Sequence, residues 1–128
     1  MKILLDTHAL LWYQDDFDRL SKKVKSLIRD EDNDVFVSIV SIWEIAIKSN
    51  LGKLALDFEL TELKHMLKEY NFEILDLSIQ QIEYLSTFSK HHKDPFDHLL
   101  IAQAILENLS LVSKDKQFKN YKELNILW

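Results

Sequence analysis

Four acidic side chains sit beside the most apolar runs of this chain, where a folded protein has least reason to leave a charge. Asp6 ends Ile3-Leu4-Leu5, Glu44 interrupts the apolar run 39–47, Asp97 precedes Leu99-Leu100-Ile101-Ala102, and Asp115 follows the run 109–113. An unpaired carboxylate near a core is unfavourable, so such groups are neutralised, paired or bound to a metal. No buried basic partner is evident in any of the four runs. One shared divalent cation would satisfy all four together, provided the fold brings these distant segments to a single cup.

The 128 residues read as a single domain, 1–128, able to bury roughly two-thirds of the unfolded surface. With no cysteine, disulfides and thiolate metal sites are excluded, and a reducing, cytoplasmic location is expected. One lysine and three apolar residues before Asp6 are too few for a signal peptide, and no apolar stretch approaches the roughly 18 residues of a membrane span. Net charge is 16 − 21 = −5, which argues against a simple cationic coat for nucleic acid. Bound metal ions would reverse that charge locally.

Gly52 and Pro95 are the sole Gly and Pro, so no flexible linker is expected. Short apolar runs alternate with helical patterns, which predicts a three-layer α/β/α domain with a mostly parallel sheet of four to five strands. Strands are expected at residues 2–5, 35–37, 72–77, 109–113 and 125–128. Helices are expected at 7–13, 21–30, 60–70 and 78–88, and from Pro95 to about Asn108. Ser38 fits the N-cap of a further helix that ends near Asn50, with Gly52 close to its C′ position.

Each acid also has an ordinary structural explanation. Asp6 fits a cap for the helix at Thr7, and Asp115 a cap for a short helix through Phe118. Ser41-x-x-Glu44 and Asp94-x-x-Asp97 match capping boxes. Taken jointly the acids point elsewhere. Asp6 and Asp115 fall at the C-terminal ends of strands, the edge where open α/β sheets form ligand crevices. Asp97 lies in a first helical turn, where the dipole favours its ionised form. Glu44, in the second turn of a helix begun at Ser38, is too deep to be a cap. Its apolar neighbours, Trp43 included, suggest a buried helix that aims it into the crevice. Oxygen-only ligands select Mg²⁺ or Mn²⁺ over zinc or copper.

The order and spacing of four segments carry a resemblance: Leu4-Leu5-Asp6-Thr7-His8-Ala9-Leu10-Leu11-Trp12, Ser41-Ile42-Trp43-Glu44-Ile45-Ala46-Ile47-Lys48, Asp94-Pro95-Phe96-Asp97-His98-Leu99-Leu100-Ile101-Ala102-Gln103-Ala104 and Leu111-Val112-Ser113-Lys114-Asp115. Over essentially its full length the chain resembles the PIN-domain ribonucleases of the VapC toxin type. The resemblance implies that Asp6, Glu44, Asp97 and Asp115 form the metal site of an Mg²⁺- or Mn²⁺-dependent endoribonuclease, which leaves a 3′-hydroxyl. It also implies a small antitoxin protein that wraps the nuclease helices and plugs the pocket, and a homodimer. Family members usually carry Arg after the third acid and Thr before the Lys/Arg-Asp pair. Here His98 and Ser113 stand at those positions, and the acids are intact.

Asp94 reads first as the N-cap before Pro95, with a place behind the metal ligands as the alternative. Thr7 and Ser113 fit either donors to the carboxylates or turn hydroxyls. Lys90, His91, His92 and Lys93, together with Lys48, Lys53, Lys114, Lys116 and Lys119, would put positive charge at the rim of an acidic pocket, where phosphates bind. His8 and His65 are isolated, so a histidine-based metal site is not expected. Trp12, Trp43 and Trp128 read as core, while Trp12 and Tyr13 alternatively fit a partner surface. Competing readings are the same fold as a housekeeping or repair nuclease, a receiver-like module, and a non-catalytic binding domain.

Overall fold

Short runs of branched apolar residues form the strands, and several lead directly into a polar residue that caps the next helix. The computed structural model describes residues 1–88 and 94–128. Strand β1 (Lys2–Leu5) leads through Asp6 into α1 (Thr7–Asp15), and Ser21 caps α2 (Lys22–Arg29). Strand β2 (Asp34–Ser38) runs into α3 (Ile39–Asn50), whose first turn is closed by the Ser38 hydroxyl accepting from the Val40 N–H. After α4 (Leu63–Glu69) come β3 (Glu73–Leu75) and α5 (Ile79–Tyr84). Helix α6 (Pro95–Leu106) precedes β4 (Ser110–Val112) and β5 (Ile126–Leu127). Gly52 follows α3 at φ 72°, a left-handed conformation in which a Cβ is strained; Asn71 and Asn108 take the corresponding role after α4 and α6.

Among the described residues the five strands form one parallel sheet in the order β3-β2-β1-β4-β5. This differs from the 2-1-3-4-5 order of flavodoxin-like receivers and removes that reading. The chain moves outward from β1 through β2 to β3, then returns to the other side of β1 with β4. The strand order therefore reverses between β1 and β4, and ligand crevices of open parallel sheets form beyond the C-terminal ends of such a pair.

Alternation along the strands divides the core into two layers. Ile3 and Leu5 pack with Leu10, Val24, Leu63 and Leu67 on one face, while Leu4 and Leu111 pack with Leu100, Ile101 and Ala104 of α6 on the other. Three expectations change in detail. Helix 60–70 breaks into a 3-10 turn (Leu60–Glu62) and α4, because neither Glu59 nor Glu62 provides a capping side chain. Helix 78–88 ends at Tyr84 and continues as a 3-10 turn, while a Ser78–Gln81 capping box closes its start. Trp43, expected in the core, is 50% exposed and lies edge-on against Phe96 at 4.9 Å. One position along a helix is about 100° of rotation, so burying Glu44 and Ile45 turns Trp43 outward.

The side chain of Gln103, fully buried on α6, ties the layers together. It accepts from the Ser38 hydroxyl and donates to the Asp76 carbonyl at 3.1 Å and to Gln81 Oε1 at 3.1 Å. One amide thus fixes the start of α3, the chain beyond β3 and helix α5 against the helix that carries Asp97. Replacing Gln103 by Leu removes these three hydrogen bonds, of whose partners the Ser38 hydroxyl and Gln81 Oε1 keep one other each, so unfolding free energy is expected to fall by about 2–3 kcal/mol, read as a lower urea midpoint at unchanged slope. An unchanged midpoint would show that the network is not structural.

Candidate metal centre

Asp6 follows the last residue of β1 and is almost fully buried. Its backbone N–H donates to the Val112 carbonyl at 3.0 Å, which fixes it beside the end of β4. Its Oδ1 accepts from the Ala9 N–H at 2.8 Å, so the expected helix cap is present. Capping occupies one oxygen and leaves the other for further contacts. The Ser113 side chain is hydrogen-bonded to this carboxylate, and Ser113 Oγ also accepts from the Asp115 N–H at 3.0 Å. Ser113 therefore joins the acid after β1 to the acid after β4. Asp115 caps the 3-10 turn Lys116–Asn120 through the Gln117 N–H at 2.9 Å, and its charge reaches Asp6.

Glu44 projects from the second turn of α3 and is 3% exposed. Thr7 Oγ1 donates to Glu44 Oε1 at 2.6 Å and lies 3.0 Å from Ser41 Oγ. Glu44 Oε2 accepts from the Lys48 ammonium one turn along the helix. Lys48, expected at the rim of the acidic pocket, lines the hollow beside Glu44 and also pairs with its carboxylate. The Ser41-x-x-Glu44 capping box does not form, because α3 begins at Ile39 and Ser41 faces Thr7.

Asp97 occupies the first turn of α6. Asp94 caps that helix, with Oδ1 accepting from the Phe96 N–H at 2.9 Å and the Asp97 N–H at 3.4 Å. Burial is the largest cause that pushes the Asp97 carboxyl up to about 8, followed by the charges of Asp94, Glu44, Asp6 and Asp115. Burial also pushes Asp6 up to about 6, against the lowering effects of the Ser113 and Ala9 hydrogen bonds and the charge of His8. All four candidate acids thus act on Asp97 or on one another within one region at the switch point of the sheet. Asp94 adds a fifth negative charge in addition to its capping role.

Two hollows flank the acids. One, of about 240 Å³, is lined by Asp6, His8, Trp12, Lys114 and Asp115. The other, of about 290 Å³, is lined by Thr7, His8, Leu11, Glu44, Lys48 and Lys53 among others. A hollow of about 330 Å³ around Tyr84, Phe88, Ile105 and Tyr121 includes none of the four acids, so size alone does not mark the chemistry. His8, two residues after the Asp6 cap, borders both acidic hollows. Of the expected rim cations, Lys48, Lys53 and Lys114 line the hollows, Lys116 and Lys119 are exposed near Asp115, and residues 90–93 lie outside the described residues.

The all-oxygen donor set suits a hard cation such as Mg²⁺ or Mn²⁺, and carboxyls held above their ordinary values mark a place short of positive charge. As the side chains lie, no group of three carboxylate or imidazole side chains among the described residues is arranged to hold a metal ion. Glu44 is turned to Thr7 and Lys48.

Residues 3–124 match the model of the PIN domain family. No curated protein matches the chain significantly in sequence. The fold is similar to that of VapBC2 from Rickettsia felis bound to a DNA fragment from its promoter, at TM-score 0.74 and 21% identity, covering 100% of this chain and 99% of that one. VapBC-1 from nontypeable Haemophilus influenzae is similar at TM-score 0.74 and 15% identity, with 99% and 97% covered. VapBC-5 from Mycobacterium tuberculosis, a member of the VapBC family of toxin–antitoxin systems, is similar at TM-score 0.62 and 16% identity, with 98% and 97% covered. At these identities the likeness establishes the fold. No helix among the described residues is long and apolar enough to cross a membrane.

Raised carboxyl values fix the sign of a pH dependence. The folded chain keeps protons on Asp6 and Asp97 that the unfolded chain releases near pH 4. Their contribution to stability is complete below about pH 4 and is lost as pH rises, through about 6 for Asp6 and about 8 for Asp97. In EDTA, Asp6→Asn is therefore expected to gain on the wild type by about 3 kcal/mol between pH 4 and pH 7. Asp97→Asn should gain with the same sign up to about pH 9. Urea titrations across that range check this, and variants that track the wild type at every pH would contradict it.

Proposed function

The chain belongs to the PIN-domain family, and on that premise we propose that it is a divalent-metal-dependent endoribonuclease acting as the toxin of a toxin–antitoxin pair. The observation that carries the reading is the gathering of Asp6, Glu44, Asp97 and Asp115 into one electrostatic field at the switch point of the sheet. Acids from four distant segments have no structural need to meet. Bound by them, Mg²⁺ or Mn²⁺ supplies Lewis-acid polarisation of a phosphoryl oxygen and an activated water.

The chain's own residues prepare for that chemistry. Asp6 is held by its helix-capping bond and by Ser113, so one carboxylate is oriented in advance. Thr7 performs the same service for Glu44 through its 2.6 Å bond. Asp97 rests on a helix start fixed by Asp94 and, deeper in the helix, by Gln103. Lys53, Lys114 and His8 line the flanking hollows, where they can receive backbone phosphates without touching Asp6 or Asp97. That arrangement lets a chain of net charge −5 accept RNA at one place.

The partners follow from the same reading. The structural likeness to VapBC complexes supports a small antitoxin protein, and the homodimer rests on the family resemblance alone. Trp12 and Tyr13 are half-buried on α1, within reach of a protein that wraps this helix.

Incubation of purified protein with total RNA, followed by mapping of the cut ends, tests the proposal. Cleavage is expected with Mg²⁺ or Mn²⁺ and not with EDTA. Asp6→Asn and Asp97→Asn should each lose activity by on the order of 100-fold or more while keeping the wild-type circular dichroism. Full activity in either variant removes that residue from the site, and undiminished cleavage in EDTA removes the metal.

A further inference from the structure

Glu44 and Lys48 form an unequal pair. Glu44 is buried on α3 and fixed from one side by Thr7, whereas the Lys48 side chain keeps 36% of its exposure and can leave for water. Together the Thr7 hydroxyl and the Lys48 ammonium occupy both oxygens of the carboxylate. Lys48 also lies in the field of Asp94 and Asp97, with Nζ 6.0 Å from the centre of the Phe96 ring. A buried carboxylate without that ammonium would be an uncompensated charge. As the side chains lie, Glu44 faces Thr7 and Lys48, and among the described residues no three carboxylate or imidazole side chains stand in a ready-made metal-holding set.

We propose that Lys48 is a resident counter-ion that holds Glu44 while no divalent cation is bound and must be displaced before the cation can use that carboxylate. The inference rests on the metal-dependent reading above. Exchange is feasible because the two partners differ in freedom: Thr7 keeps Glu44 in place while Lys48 swings away on a flexible stem. The displaced ammonium remains at the 290 Å³ hollow beside Lys53, where a substrate phosphate can take up the contact it lost. Lys48 is thus a positioning residue for Glu44 and a competitor of the metal.

Mn²⁺ titration of the full chain, with free Mn²⁺ read by electron paramagnetic resonance, tests the competition. Lys48→Met is expected to bind Mn²⁺ about five- to tenfold more tightly than the wild type. Its half-maximal Mn²⁺ concentration for RNA cleavage should fall in parallel. Lys53→Met removes the same charge from the same hollow without touching Glu44, and should change affinity by less than about twofold. Lys48→Arg, which retains the ion pair if the Met variant misfolds, should bind Mn²⁺ more weakly than the wild type, because a guanidinium grips a carboxylate with two donors. Equal or weaker binding by Lys48→Met, an equal gain in Lys53→Met, or tighter binding by Lys48→Arg overturns the proposal and leaves the nuclease reading intact. Absence of Mn²⁺ binding in every protein, wild type included, overturns both.

Discussion

Parallel pairing of β1 with β4 is the constraint on which the rest of this molecule depends. It sets the end of one strand beside the end of another more than a hundred residues away, and the Asp6 N–H bond to the Val112 carbonyl locks the two together. Both strands then release the chain at the same edge, so Asp6 and Asp115 become neighbours without any sequence proximity. Helices α3 and α6 start at that edge as well, which brings Glu44 and Asp97 into the same field. Backbone topology brings four carboxyl groups within one another's electrostatic reach, the arrangement on which the proposed metal site rests.

The capping roles of the acids are compatible with the metal-holding role proposed for them because a carboxylate has two oxygens. Asp6 Oδ1 and Asp115 Oδ1 cap helical turns, and Asp94 does so for α6, yet each keeps acceptor capacity directed elsewhere. The caps hold the carboxylates in fixed orientations, which is what an ion site needs from its ligands. The electrostatic consequence is a folded state strained by its own charge at neutral pH. Lys48 relieves part of that strain at Glu44, and Ser113 and His8 relieve part at Asp6. At Asp97 burial comes first and the charges of Asp94, Glu44, Asp6 and Asp115 follow, so its carboxyl is pushed up to about 8.

Much of this was legible in the amino-acid sequence because the signals are local. Ile3-Leu4-Leu5 before Asp6, Ser38 before an apolar helix, Gly52 after it and Asp94-Pro95 at the start of α6 each act within a few residues, and the elements form where those signals place them. Other features also had a local signal. The Glu44–Lys48 pair has i,i+4 spacing on a helix, which is ion-pair geometry, so Lys48 pairs with Glu44 as well as lining the hollow. Trp43 was read by its chemistry rather than its position, one residue off the buried stripe. Gln103 had no local signal, since its partners Ser38, Asp76 and Gln81 are distant in sequence and only the packing of α6 against the sheet brings them together. The electrostatic reach of the four acids on one another is of this last kind, since strand pairing and helix placement produce it rather than any short-range signal.

The central claim is that these acids share an ion, and locating that ion tests it most directly. Crystals of the protein grown with Mn²⁺ and measured at the manganese absorption edge should give an anomalous peak between the carboxylates of Asp6 and Asp97, with the Lys48 ammonium withdrawn from Glu44. A peak elsewhere, or none at saturating Mn²⁺, would contradict the account.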